Sequence, residues 1–67
     1  MEYREFIREI KKQAKGRRSP LNVEVLKNQY VEKYGIEEDY FEHLLERTEL
    51  EHIFIVEERN GKRTIKM

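Results

Sequence analysis

Lysine and arginine side chains are concentrated in one short segment of this chain, and cations at that density can bind phosphate groups. The segment contains Lys11, Lys12, Lys15, Arg17 and Arg18. Such side chains hold a nucleic acid backbone without reading its base sequence. They also have a purely structural interpretation, because lysines near the C-terminus of a helix complement its dipole and keep the surface hydrated. The sequence leaves both interpretations open.

Other side chains that could support catalysis or metal binding do not form a recognisable set. His43 and His52 are the only histidines, they lack the one-turn spacing of helical metal ligands, and the chain has no cysteine. Consecutive carboxylates at 37–39 point in different directions on a helix and suit its first turn. Ser19 is the only serine, with no glycine-rich loop or base beside it. We therefore expect no enzymatic activity, metal ion, cofactor or small-molecule substrate.

The length and composition set the scale of the structure that positions these residues. A chain of 67 residues has room for one small domain, which we expect to span 1–67. The longest apolar run, at 53–56, is too short to cross a membrane, so we expect no membrane association and a cytoplasmic location. The 42% content of charged residues, with few glycines and prolines, resembles that of heat-adapted proteins and predicts a thermophilic source.

Apolar periodicity predicts three helices in the first fifty residues. Helix one is expected from Glu2 to about Lys15, where Gly16 ends it. Helix two is expected over 23–34, with Asn22 as its N-cap and Gly35 as its terminator. Helix three follows after a very short turn and is expected to run to Thr48 or Leu50. Between helices one and two, the segment 19–21 is predicted to be a connector or a three-residue strand.

The end of the chain has the pattern of a β-hairpin. Residues 52–59 and 62–67 are strand-like, and Asn60-Gly61 is a strong signal for a two-residue turn. This turn pairs Arg59 with Lys62, Glu58 with Arg63 and, at the far end, Phe54 with Met67. The opposite charges of Glu58 and Arg63 are then expected to form a cross-strand pair worth about 0.2–1 kcal/mol.

The order of these elements resembles the winged helix-turn-helix family over nearly the whole chain. The resemblance is carried by Leu21 before Asn22, the turn Tyr34-Gly35-Ile36, the pair Leu44-Leu45, Ile53, and Asn60-Gly61. The spacing from Gly35-Ile36 through Leu44-Leu45 to Ile53 is similar to that of the C-terminal winged-helix domains of archaeal minichromosome maintenance helicases, although this chain lacks a glycine near Glu51. The resemblance implies an α+β fold and a non-enzymatic module used in transcription regulation or DNA replication, commonly one that binds duplex DNA.

The charge distribution restricts how such a module could bind DNA. Residues 36–52 hold seven acidic and one basic side chain, a net charge of −6, whereas residues 1–18 hold three acidic and seven basic, a net charge of +4. Phosphates would repel a recognition helix with this acidic surface. We therefore predict weak backbone contacts through the basic segment 11–18 and through Lys62 and Arg63 on the wing.

The acidic third helix also supports a different class of function. Complementary charge could bind a protein partner or a second copy of the chain as a homodimer. The residues predicted to form that contact are Glu38, Glu42, Glu46, Ile53 and Ile55. The two isoleucines have an alternative role, because they could instead pair with the strand near Leu21 in a three-stranded sheet.

Overall fold

The computed structural model describes residues 1–17 and 19–66 and has an α+β fold with three helices and a three-stranded antiparallel sheet. The elements in chain order are α1 (Tyr3–Ala14), β1 (Leu21–Asn22), α2 (Val23–Tyr34), α3 (Glu38–Leu50), β2 (Ile55–Arg59) and β3 (Lys62–Lys66). The predicted helices and hairpin are therefore confirmed. None of the helices in the described ranges has the length and apolar composition of a membrane-spanning helix.

The ends of α2 follow from two residues that the sequence identifies. The Asn22 side chain accepts a hydrogen bond from the Val25 backbone N–H at 3.1 Å, which satisfies one of the unpaired donors in the first turn. At the other end, Gly35 adopts a left-handed φ of 65° and its N–H donates to the Val31 carbonyl. Both predicted caps are confirmed, and α2 has the predicted limits.

The sheet has the strand order β1-β3-β2, with β3 in the centre. Hairpin register is as predicted from Arg59–Lys62 through Ile55–Lys66, while the predicted Phe54–Met67 pair involves a residue outside the described ranges. The predicted short strand is present, but it covers Leu21–Asn22, with Leu21 opposite Ile65, while 19–20 form the connector. Pro20 has no N–H to donate, which accounts for the later start. The short strand pairs with β3, so the alternative in which the isoleucines at 53 and 55 pair with it is wrong.

A tight turn after α3 delays the start of the hairpin from the predicted His52 to Ile55. His52 adopts a left-handed φ of 57°, and its N–H donates to the Glu49 carbonyl. The Ile53 N–H donates to the Thr48 carbonyl at 2.9 Å, which completes the Schellman pattern usually closed by glycine. Histidine thus ends the helix in place of the missing glycine, at a conformational cost of about 1 kcal/mol.

An aromatic cluster joins the three helices. Phe6 contacts Tyr30 and Phe41 edge to face, with ring centroids 6.0 and 5.4 Å apart, and Tyr30 and Phe41 contact each other in the same way at 5.8 Å. All three rings are buried. Leu21 and Ile65 extend the core from the helices to the sheet, so β1 and β3 are fixed against the helical body.

Candidate functional site

A network of charged side chains connects α2, α3 and β3. The Arg63 guanidinium binds Glu42 through two hydrogen bonds, from Nη1 to Oε1 at 2.8 Å and from Nη2 to Oε2 at 2.6 Å. Its Nη2 also donates to Glu24 Oε1 at 2.6 Å. Lys27 Nζ lies 3.0 Å from both Glu24 and Glu42. This linked network, consisting of Glu24, Lys27, Glu42 and Arg63, joins the wing to the two helices before it.

The network shifts the ionisation of its members in the direction that favours their charges. Hydrogen bonds from Arg63, with a further contribution from Lys27, lower the pKa of Glu42 to about 2, although burial opposes this. The same two donors lower the pKa of Glu24, and the two carboxylates raise the pKa of Arg63. The four charges are therefore satisfied within the fold, which makes the network a structural element and a poor site for an external ion.

A groove of about 600 Å³ lies where the end of α1 meets the sheet. Four of its lining residues are cations, namely Lys11, Lys15, Arg17 and Lys66. The other lining residues in the described ranges are Ser19 and an apolar floor of Ala14, Pro20, Leu21 and Ile65. No carboxylate belongs to this described lining, so the groove, which we call the basic groove, attracts anions.

Local structure explains why these cations converge. Helix α1 ends at Ala14, and the Arg17 N–H donates to its carbonyl at 3.1 Å, so the chain turns back immediately towards β1. Lys11 and Lys15 are one helical turn apart and both exposed, and the pairing of Leu21 with Ile65 brings the end of β3 to the same place. The cations that are close together in the sequence therefore line a concave surface in the fold.

Lys66 is the member of the groove that sequence reasoning missed. It lies far from the others along the chain, and only the pairing of β1 with β3 brings it there, so the sequence contained no local signal. Its Nζ contacts Glu57 at 3.2 Å across the hairpin, an exposed pair of the kind worth less than about 1 kcal/mol. An anion in the groove could therefore compete for this ammonium.

The remaining predicted DNA contacts have different surroundings. Lys12 is exposed on α1 but does not line the groove, and Lys62 is exposed beside the wing tip. Arg63 contacts Glu24 and Glu42 instead of forming the predicted pair with Glu58, because the carboxylates of α2 and α3 hold its guanidinium more favourably. Arg18 lies outside the described residues.

The predicted partner-binding residues differ in their surroundings. Glu42 belongs to the network, and Ile53 is half-buried against the core. Glu38 is exposed, with its carboxylate 3.9 Å from Lys27 Nζ, and Glu46 is exposed on α3. Ile55 is 60% exposed and lies directly opposite Lys66 in the hairpin, which puts it beside the basic groove.

An outward stripe on α3 was not predicted as a unit. It consists of Asp39, His43, Glu46 and Leu50, whose spacing puts them on one helix face, and all four are exposed. Leu50, at 72%, is the most exposed large apolar side chain in the described ranges. Helical spacing in the sequence was a sufficient signal for this acidic stripe.

Comparison of the chain with protein-family models, curated proteins and solved structures finds no match.

Proposed function

We propose that this chain is a winged-helix module without catalytic activity that contacts double-stranded DNA weakly, in transcription regulation or DNA replication. The element order and the sheet order β1-β3-β2 are compatible with a winged-helix layout. The observation that carries the DNA part of the proposal is the basic groove, where four cations surround one concavity that has no carboxylate in its described lining.

The contacts in this proposal are made to the phosphate backbone. The outward stripe of α3 is acidic, so a duplex that approached it would meet repulsion and find no cation to replace its counterions. A duplex at the basic groove meets Lys11, Lys15 and Arg17 instead, which bind phosphates but read no base edges. On the wing, Lys62 is exposed and adds a further contact, whereas Arg63 is held by two carboxylates.

The experiment is a fluorescence anisotropy titration of a random duplex of about 20 base pairs at several low salt concentrations. We expect weak binding, and we expect the triple variant Lys11→Ala, Lys15→Ala, Arg17→Ala to bind at least about tenfold more weakly. The slope of log affinity against log salt should fall by about 0.9 for each phosphate contact that is lost.

Arg4→Ala and Arg8→Ala are matched controls, because each removes one exposed cation of α1 that lies outside the groove and outside the predicted DNA-binding segment. We expect each control to change the affinity by less than about twofold, through long-range electrostatics only. Undetectable duplex binding by the wild type, or equal losses in the controls and in Lys15→Ala, would contradict the proposal.

Binding of a protein partner or of a second copy is the second candidate function. The observation that favours it is Ile55, a large apolar side chain that is 60% exposed on the outer face of an edge strand. Apolar side chains beside a charged rim are typical of the centres of protein contacts.

Sedimentation at increasing protein concentration tests self-association, with Ile55→Glu as the disrupting variant. We expect the average mass of the wild type to rise with concentration and that of Ile55→Glu to stay at the monomer value. A wild type that remains a monomer at every concentration removes self-association from the candidates.

A further inference from the structure

We propose that the basic groove of one copy of this chain binds the outward stripe of α3 of a second copy. This proposal rests on the second candidate function and specifies its two surfaces. One surface is the cationic concavity at the end of α1, and the other is the exposed helix face that ends in Leu50.

The composition of the groove fits a ligand with both anionic and apolar groups better than it fits a phosphate. Its floor is apolar, with Pro20 exposed and Ala14 half-buried above the buried Leu21 and Ile65, and Ile55 lies beside Lys66 on the outer face of the sheet. A phosphate would pair with the cations at the rim but leave Pro20 and Ala14 uncovered. No aromatic ring belongs to the described lining, so stacking of a nucleobase does not account for the floor either. An anionic segment with an apolar side chain matches both parts.

The outward stripe of α3 has this composition. Asp39 and Glu46 are exposed carboxylates on the stripe, Glu49 is exposed beside it, and Leu50 projects at its end. In the proposed contact, Leu50 lies on Pro20 and Ala14 while the neighbouring carboxylates meet the lysines and arginine of the rim. Residue Glu42 takes no part, because it is held within its own fold by Arg63 and Lys27.

The overall charge of the molecule permits this contact. The net charge is zero, so two copies meet no long-range repulsion, while the segregation of charge gives each copy one cationic and one anionic face. Because the two surfaces differ, the contact is head to tail and either closes into a ring or continues into longer assemblies. The contact is small, and we expect a dissociation constant on the order of 0.1–1 mM.

The test uses two variants that each remove one surface. The groove variant carries Lys11→Ala, Lys15→Ala and Arg17→Ala, and the stripe variant carries Glu46→Ala and Leu50→Ala. Analytical ultracentrifugation in low salt, without DNA, should show that the average mass of the wild type rises with concentration and returns to the monomer value in high salt. Each variant alone should remain a monomer.

A mixture of the two variants gives the sharpest result. The intact stripe of the groove variant can bind the intact groove of the stripe variant, so the mixture should form 1:1 dimers and stop there. Arg8→Ala and Glu32→Ala, which replace exposed charges outside both surfaces, should associate like the wild type. Circular dichroism confirms that each variant is folded.

The pairing is contradicted if either variant still associates as the wild type does, or if the mixture forms no dimer. If Ile55→Glu abolishes association while the groove and stripe variants retain it, self-association stands and the pairing proposed here fails. A wild type that never associates contradicts both self-association and the pairing proposed here. A charge exchange within one chain tests the pairing again: Lys15→Glu and Glu46→Lys should each impair association alone, and the double variant that carries both should associate again through the exchanged charges.

Discussion

The linked network and the basic groove both contain lysine and arginine side chains but use them differently. In the network, Arg63 and Lys27 are held by carboxylates from two elements, α2 and α3, and the Lys27 side chain is only 14% exposed. In the groove, Lys11, Lys15 and Arg17 are exposed and have no ion-pair partner among the residues that the structure describes. The network stabilises the fold, whereas the groove leaves its cations available to a ligand.

This difference shows why counting charges along a sequence is a poor guide to a binding surface. Arg63 is next to Lys62 in sequence and both were predicted to contact DNA, yet only Lys62 is exposed. Two carboxylates, one from α2 and one from α3, decide the role of Arg63. The availability of a cation depends on its neighbours in the fold.

The largest effect should come from breaking the network at its centre. We expect Arg63→Met to lower the free energy of unfolding by about 1–2 kcal/mol, because it leaves Glu42 without its two-bond partner in a partly buried position. Urea denaturation measures this. Lys62→Met, at the neighbouring exposed position, is the control and should change the free energy by less than about 0.5 kcal/mol. Equal losses of stability in Lys62→Met and Arg63→Met would contradict the distinction between exposed cations and cations held in the network.

A smaller effect should appear as coupling between the two cations of the network. Lys27 and Arg63 share Glu24 and Glu42, so the effects of Lys27→Met and Arg63→Met should not be additive. We expect an interaction energy of about 0.5–1 kcal/mol in a double-mutant cycle measured by urea denaturation. A cycle between Arg63→Met and Lys15→Met should give no coupling, since Lys15 lines the groove instead.

Acid should reduce the contribution of the network to the free energy of unfolding. Since the pKa of Glu42 is lowered from 4.5 to about 2 in the folded protein, its contribution to stability is complete above pH 4.5 and is lost as the pH falls towards 2. We expect the free energy of unfolding to decrease through this window and to decrease less steeply in Arg63→Met. Urea denaturation at a series of pH values tests this. An unchanged slope in the variant would show that Arg63 does not set the ionisation of Glu42.

The smallest effect on stability is expected in the groove. Lys15→Ala should change the free energy of unfolding by less than about 0.5 kcal/mol, because the ammonium is exposed and its interaction with the helix dipole is weak. The same substitution should reduce the affinity for a random duplex in the anisotropy titration. A variant that loses stability but keeps its affinity would reverse the roles assigned to the network and the groove.

Local signals in the sequence were sufficient for most of the fold. The Asn22 cap, the Gly35 terminator and the Asn60-Gly61 turn predicted the limits of α2 and the register of the hairpin. Each of these depends on backbone chemistry within a few residues, which the sequence displays directly. The start of β2 was predicted three residues early because a left-handed histidine at 52 has no reliable sequence signal.

The candidate sites were harder to predict because they depend on contacts between distant residues. The cluster at Lys11–Arg17 was visible, but the apolar floor and Lys66 require the pairing of β1 with β3. The network requires Arg63 to reach α2 and α3, and the nearer Glu58 was the natural partner on the hairpin alone. Tertiary contacts, which a single sequence does not display, decide both sites.

The central position of β3 in the sheet has a consequence for the way this protein is made. β3 follows the other five elements along the chain, yet it lies between β1 and β2 and supplies Ile65 to the core. During synthesis, the three helices leave the ribosome before the strand that supplies Ile65 to the core and Arg63 to the network. We therefore expect a nascent chain stalled before β3 emerges to stay sensitive to protease and exposed to chaperones, and to become resistant only after β3 is released.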